Sequence, residues 1–112
     1  MNSKEKLDFI IARLEDVKAI DIKVVDITEI SILCDYFVIA TGTSNRHIRS
    51  LVDEVDIEMK KAGEKCNRIE GYDTAEWILI DFGDVVVNVF KQEMREFYNL
   101  EKLWADGQLE EK

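Results

Sequence analysis

The segment from Thr41 to His47, TGTSNRH, has the residue types that bind anions at the start of a helix. It follows an apolar run and precedes a helical pattern, so free backbone amides and the helix dipole would converge on it, with Arg46 and His47 in the first turn. The same composition is common where a strand simply passes into a helix, with Gly42 making the turn and Ser44 capping the helix. The segment has neither a Walker lysine nor a GxGxxG pattern. We therefore favour the structural role and keep Arg46 and His47 as candidate surface contacts.

Pairs of carboxylates are the second arrangement that could do chemistry. Asp81 and Asp84 flank a tight turn, and Asp53 and Asp56 lie a turn apart on a helix. General acid–base catalysis needs two acids that converge in a pocket or on a metal and have different pKa values. The sequence supplies no partner histidine, nucleophile elbow or metal cluster beside them. Asp84 is most simply a turn residue, and Asp53 and Asp56 belong to a solvated helix face.

The stretch from Glu70 to Phe90 predicts two strands joined by a tight turn, and several of the candidate side chains lie on it. Trp77 to Phe82 and Val85 to Phe90 are rich in aromatic and β-branched residues, and Gly83-Asp84 breaks the run between them. The hairpin places one apolar face on the core, through the pairs Phe82–Val85, Ile80–Val87 and Ile78–Val89. The opposite face is mixed and holds Trp77, Leu79, Asp81, Val86, Asn88 and Phe90.

This mixed face predicts an acidic surface that contains an aromatic side chain. Residues 70–90 contain five acids and no base, the acids being Glu70, Asp73, Glu76, Asp81 and Asp84. Aromatic side chains in such a setting are enriched at the centres of protein interfaces, so Trp77 is a candidate anchor. A helix that covers this face would instead make Trp77 an ordinary core residue. Spacing alone leaves both roles open.

The helices and strands around the hairpin follow from apolar periodicity. Two amphipathic helices are predicted, one at residues 4–18 and one between the N-cap Ser44 and the stop signal Gly63. The remaining predicted elements are strands at 22–27, 36–41 and 65–69, a last helix at 92–104 and a frayed polar tail over 106–112. The order α-β-β-α-β-β-β-α predicts an α/β fold with a mixed five-stranded sheet flanked by helices.

Composition predicts one soluble domain over residues 1–112. Fifteen bases against 24 acids give a net charge of −9, which argues against wrapping nucleic acid or an anionic membrane and suits a basic protein partner. The simpler alternative is that the charge only provides solubility. Cys34 and Cys66 lack metal-ligand spacing and a single histidine cannot complete a zinc site, so reduced thiols in a cytosol are expected. The N-terminus predicts neither a signal peptide nor a membrane span.

Four segments carry a resemblance that covers nearly the whole chain. They are Thr41 to His47, Glu70-Gly71, Trp77 to Val87 and Arg95 to Glu101. Each is weak alone, but their order and spacing together are highly specific. On these segments the sequence resembles the Iojap family, the bacterial ribosomal silencing factors.

The resemblance implies a non-enzymatic factor that needs no cofactor or metal. Such proteins bind the universal large-subunit ribosomal protein fourteen, without reading nucleic acid directly or contacting a membrane. They block joining of the small subunit and damp translation when nutrients run short. A homodimer is implied as well, and so is a fold similar to nucleotidyltransferases. The Gly42-Thr43-Ser44 turn looks like a relic of the Gly-Ser motif of those enzymes, but their Asp-x-Asp pair is missing from the strand at 65–69.

The resemblance also implies which residues meet the ribosomal partner. Trp77 would be the anchor, Glu70, Asp81 and Asp84 the charge partners, and Tyr98 a contact from the last helix. Asn88 departs from the family pattern, because it stands where a histidine is expected. The main alternative is a nucleotide-binding or nucleotidyl-transferring enzyme that uses the loop at residues 41–47. A second alternative is a dimeric adaptor with no ribosomal role.

Overall fold

A computed structural model of the chain describes residues 1–29, 32, 34–94 and 108–111, the last four through their backbone alone. Within these residues the chain forms two long helices and six strands. Their bounds are α1 Ser3–Asp16, β1 Ile20–Asp26, β2 Tyr36–Gly42, α2 Asn45–Lys61, β3 Arg68–Glu70, β4 Trp77–Asp81, β5 Val85–Lys91 and β6 Gln108–Glu111. The predicted order of elements is confirmed through β5, with bounds that differ by a few residues.

Both helices begin at a capping side chain. At α1, the Asn2 side chain accepts from the Glu5 amide at 2.8 Å, and the Glu5 carboxylate accepts from the Asn2 amide at 2.9 Å, which completes a capping box. At α2, the Ser44 hydroxyl accepts from the His47 amide at 3.0 Å, as predicted. These caps use backbone N–H groups that would otherwise have no partner in the helix.

The sheet is mixed, as predicted, but it has six strands instead of five, in the order β3-β4-β5-β2-β1-β6. The central pair β2–β5 is parallel, and the other neighbouring pairs are antiparallel. The additional strand β6 lies in the tail that the sequence predicts to be frayed. It pairs with the outer edge of β1, where unpaired backbone groups offer a template for another strand.

The predicted β4–β5 hairpin and its register are confirmed. Ile78 lies opposite Val89 and Ile80 opposite Val87. The Phe82 amide closes the turn by donating to the Val85 carbonyl at 3.0 Å. Because the register fixes which side chains share a face, it also places Trp77, Leu79 and Asp81 together on the opposite side.

Apolar clusters lie on both faces of the sheet. The larger cluster joins α1 and α2 to the apolar face of the hairpin, and it includes Leu7, Leu14, Leu51, Val55, Ile78 and Ile80. The smaller cluster lies on the opposite face and consists of Val25, Ile27, Phe37, Ile39 and Phe90, with Trp77, Val86 and Met94 packed against it. The candidate anchor Trp77 therefore belongs to the face that α1 and α2 do not cover.

The last predicted helix falls mostly beyond the described residues. Residues 92–94 are helical, whereas the remainder of the predicted helix, and Tyr98 with it, lies outside the described residues. Among the residues that are described, no helix combines the length and the apolarity needed to cross a membrane.

Candidate protein-binding site at the sheet edge

A groove of about 390 Å³ lies at the β3–β4 edge of the sheet, lined by Arg68, Glu70, Gly71, Trp77 and Leu79. We call it the edge groove. Antiparallel pairing sets Arg68 opposite Asp81 and Glu70 opposite Leu79, and alternation directs these side chains to one face. Since β3 is the outermost strand, the groove opens at the border of the sheet.

Trp77 is held in place within this groove and is only partly buried. Its ring stacks on Phe90, with centroids 4.9 Å apart and planes 26° from parallel. Its indole Nε1–H donates to the Asn88 side-chain oxygen at 2.9 Å. Trp77 packs against the smaller apolar cluster and also lines the groove, so both predicted roles remain open for it. A fixed aromatic ring loses little conformational freedom on binding, which favours its use as an anchor.

Asn88 is the buried support of Trp77. Its side chain is fully buried, and its oxygen accepts the indole N–H. That bond orients the amide, and within the described part of the chain its Nδ2 has no hydrogen-bond partner. A buried donor without a partner costs about 1–3 kcal/mol, so this position holds the indole at the expense of stability. Position 88, where the resemblance leads us to expect a histidine, thus lies directly behind the candidate anchor.

At the mouth of the groove, the backbone at Gly71 passes so close to the backbone of Trp77 that only glycine fits there. Its φ of +83° lies in the left-handed region, and an added Cβ would overlap the carbonyl oxygen of Trp77. The Glu70-Gly71 pair is therefore a backbone requirement as well as a part of the groove wall. Glycine at this position lets the chain leave β3 close beside the first residue of β4.

The loop between β3 and β4 is tied to α2. The Arg49 guanidinium donates to the carbonyls of Tyr72 and Asp73, and the Asn45 amide donates to the carbonyl of residue 74 at 2.7 Å. The Tyr72 hydroxyl donates to the Asp53 carboxylate at 2.9 Å, and this hydrogen bond raises the pKa of Tyr72. The loop contacts fix the chain on both sides of the edge groove, which pre-organises its walls.

One of the three predicted acidic partners, Glu70, lines the groove, and a second, Asp81, pairs with the groove residue Arg68. The third lies elsewhere. The Arg68 guanidinium contacts Glu70 at 2.8 Å and Asp81 at 3.3 Å. Asp84 lies at the hairpin turn instead, where its carboxylate accepts from the Lys6 ammonium at 3.0 Å. Arg68 was missed because the acidic count begins at residue 70. The sequence signal that could have identified Arg68 is its spacing from Glu70, since residues two apart on a strand share one face.

Lys6 joins α1 to the hairpin turn. Its ammonium contacts Asp84 and, at 3.3 Å, Glu64, and its side chain is 16% exposed. Burial lowers the pKa of Lys6, but the hydrogen bonds and charges of Asp84 and Glu64 outweigh it, so the net shift is upward from 10.5. Asp84 is therefore already engaged within the fold.

Several polar groups of the loop at residues 41–47 form hydrogen bonds within the fold. The Thr43 amide donates to His47 Nδ1 at 2.9 Å, so His47 Nε2 carries the proton and donates to the Val17 carbonyl at 2.7 Å. His47 thereby joins the end of α1 to the start of α2, and its ring is only partly buried, so its role as a surface contact stays a prediction. Arg46 is exposed, as expected. Within the described ranges, no three His, Cys, Asp or Glu side chains come close enough to hold a metal ion.

Comparison with known proteins identifies the family. The model of the family described as ribosomal silencing factor during starvation matches residues 1–112. The ribosomal silencing factor RsfS of Bacillus subtilis is 40% identical over 109 residues, which cover 97% of this chain and 92% of that one. The mouse protein named mitochondrial assembly of ribosomal large subunit protein 1 is 35% identical over 108 residues, which cover 94% of this chain and 47% of the mouse protein. The chain belongs to the ribosomal silencing factor family, which confirms the resemblance.

The fold agrees with that assignment. The crystal structure of a Chromobacterium violaceum protein matches with a TM-score of 0.92 at 38% identity, over 96% of this chain and 89% of that one. The mixed α/β architecture predicted from the sequence is thus confirmed by a solved structure. The likeness to nucleotidyltransferases stays a prediction.

Proposed function

We propose that this protein binds the large ribosomal subunit through the universal ribosomal protein fourteen and sterically blocks joining of the small subunit. Translation is thereby repressed when nutrients are limiting. The observation that carries the proposal is the match of the silencing-factor family to all 112 residues. The name of the mouse relative, which refers to assembly of the ribosomal large subunit, supports that choice of partner.

We further propose that the edge groove is the surface that meets this partner. Trp77 is the anchor, since its ring is pre-positioned by Phe90 and Asn88 and lines the groove. Glu70 and Asp81 supply negative charge on the same face. The net charge of −9 favours encounter with a basic ribosomal protein through long-range attraction.

We do not assign the other two residues of the predicted site to the edge groove. Asp84 is paired with Lys6 at the hairpin turn, away from the residues that line the groove, so we assign it a role in the fold. Tyr98 is kept as a contact on the strength of the family motif alone. A homodimer and a cytoplasmic location are likewise kept as predictions from the family.

Sedimentation of the purified protein with separated ribosomal subunits tests the proposal. We expect the protein to travel with large subunits, not with small ones, and to reduce the fraction of joined ribosomes when small subunits are added. Unchanged joining at saturating protein would contradict the proposal. Titration of nucleotides with magnesium serves as the test of the enzymatic alternative. We expect no binding, because Thr43, Ser44 and His47 of the loop at 41–47 already form hydrogen bonds within the fold.

A further inference from the structure

In one wall of the edge groove, the guanidinium of Arg68 forms ion pairs with two carboxylates of the same chain. Arg68 Nη1 lies 2.8 Å from Glu70 Oε2, and Arg68 Nε lies 3.3 Å from Asp81 Oδ2. The side chains of Arg68 and Glu70 are 60% and 56% exposed, whereas that of Asp81 is 22% exposed. The guanidinium therefore satisfies both acids from the solvent side of the groove.

The surroundings of Arg68 fit an arginine side chain from another molecule equally well. Two carboxylates match the fork of donors on a guanidinium, which lysine lacks. Trp77 and Leu79 line the same groove and offer apolar surface to the alkyl stem of such an arginine. The chain thus shows, with its own residue, which chemical group this wall of the groove accepts.

We propose that Arg68 occupies, in the free protein, the place that an arginine side chain of the ribosomal partner takes in the complex. This inference rests on the proposed function, which supplies a basic partner at the same groove. Exposed ion pairs contribute little to stability, so the partner's guanidinium can replace Arg68 on Glu70 and Asp81 at small cost. Arg68 then acts as an internal competitor that weakens binding and favours partners able to present a guanidinium.

Removal of Arg68 should therefore strengthen binding, which is the opposite of the usual effect of truncating an interface residue. We expect Arg68→Ala to bind purified large subunits about two- to fivefold more tightly than the parent, mainly through slower dissociation. Arg68→Gln keeps most of the length of the side chain and should show the same direction. Thermal unfolding of each variant verifies that the fold is retained, as expected for an exposed position.

The matched control is Lys61→Ala, because it removes the same charge. Lys61 is 70% exposed and pairs with Glu58 at 3.1 Å on α2. Both variants remove one positive charge and should change the association rate alike, whereas only Arg68→Ala should slow dissociation. The inference is overturned if Arg68→Ala binds more weakly than the parent, which would make Arg68 a direct contact, or if it matches Lys61→Ala in both rates. Absence of binding by the parent protein would instead contradict the proposed function itself.

Discussion

Two parts of this molecule combine a glycine with polar side chains, and they differ in what those side chains contact. In the loop at residues 41–47, Thr43, Ser44 and His47 bond to one another and to the end of α1. At the edge groove, Arg68, Glu70 and Trp77 line open space beside Gly71. We therefore expect the edge groove, where polar groups face a cleft, to be the region that binds a partner, and the loop at residues 41–47 to serve the fold.

The largest effect should come from Gly71→Ala. We expect it to lower the free energy of unfolding by about 3 kcal/mol or more, because the left-handed backbone and overlap with the Trp77 carbonyl add together. Gly63→Ala is the control, since Gly63 has the same φ of +83° and nothing within 4 Å of an added Cβ. It should cost only about 1–2 kcal/mol. Urea unfolding measures both, and equal costs would show that the close approach at Gly71 is unimportant.

Trp77→Ala should lower the affinity for large subunits strongly while leaving the protein folded. We expect a loss of about 2 kcal/mol in the free energy of unfolding, less than the ~3–5 kcal/mol of a fully buried tryptophan, because the ring is only partly buried. Affinity for large subunits should fall about thirtyfold or more, as for aromatic hot spots. Trp77→Phe should retain the stacking on Phe90 but leaves the buried Asn88 oxygen without its donor, so it should recover only part of the stability. Full affinity in a folded Trp77→Ala variant would remove Trp77 from the site.

His47→Ala tests whether the loop at residues 41–47 serves the fold and not binding. It leaves the Val17 carbonyl and the Thr43 amide without their ring partner, so we expect a loss of about 1–2 kcal/mol in the free energy of unfolding. Affinity of the folded variant for large subunits should stay within about twofold of the parent. A well-folded variant that no longer binds would place the loop at 41–47 in the interface.

The smallest effect is expected for Lys6→Met, which removes the cation between Asp84 and Glu64. A pKa raised in the folded state stabilises the protein below the ordinary value of 10.5, and that stabilisation is lost as pH rises through the folded-state pKa. We expect the variant to be about 1 kcal/mol less stable at neutral pH. The gap should close above pH 10.5. A gap that persists to high pH would mean that packing of the alkyl chain, and not charge, is responsible.

The sequence was most informative where local patterns decide the structure. Alternation and the Gly83-Asp84 break predicted the hairpin register, and apolar periodicity with Ser44 predicted α2, because both depend on contacts between near neighbours. The pairing of β6 with β1 was missed because it joins segments far apart in the chain. The pairing of Asp84 with Lys6 was missed for the same reason.

The candidate site could be predicted only in part. Trp77 and Asp81 share a face of β4 by strand alternation, so the sequence could bring these two together. Glu70 lies on β3 and joins them only through strand pairing. The neutralising role of Arg68 depends on the pairing of β3 with β4, which a three-residue strand does not reveal. Whether Trp77 is core or surface depended on what covers the second face of the sheet, and spacing carries no information on that point.

A photo-crosslinking residue placed at Leu79, in the groove, or at Thr43, in the exposed part of the other loop, tests the central claim most directly. Each variant is mixed with purified large subunits, irradiated, and analysed for attached ribosomal proteins. We expect a crosslink from position 79 to one basic protein of the large subunit and none from position 43. Crosslinks from position 43 with none from position 79 would contradict it.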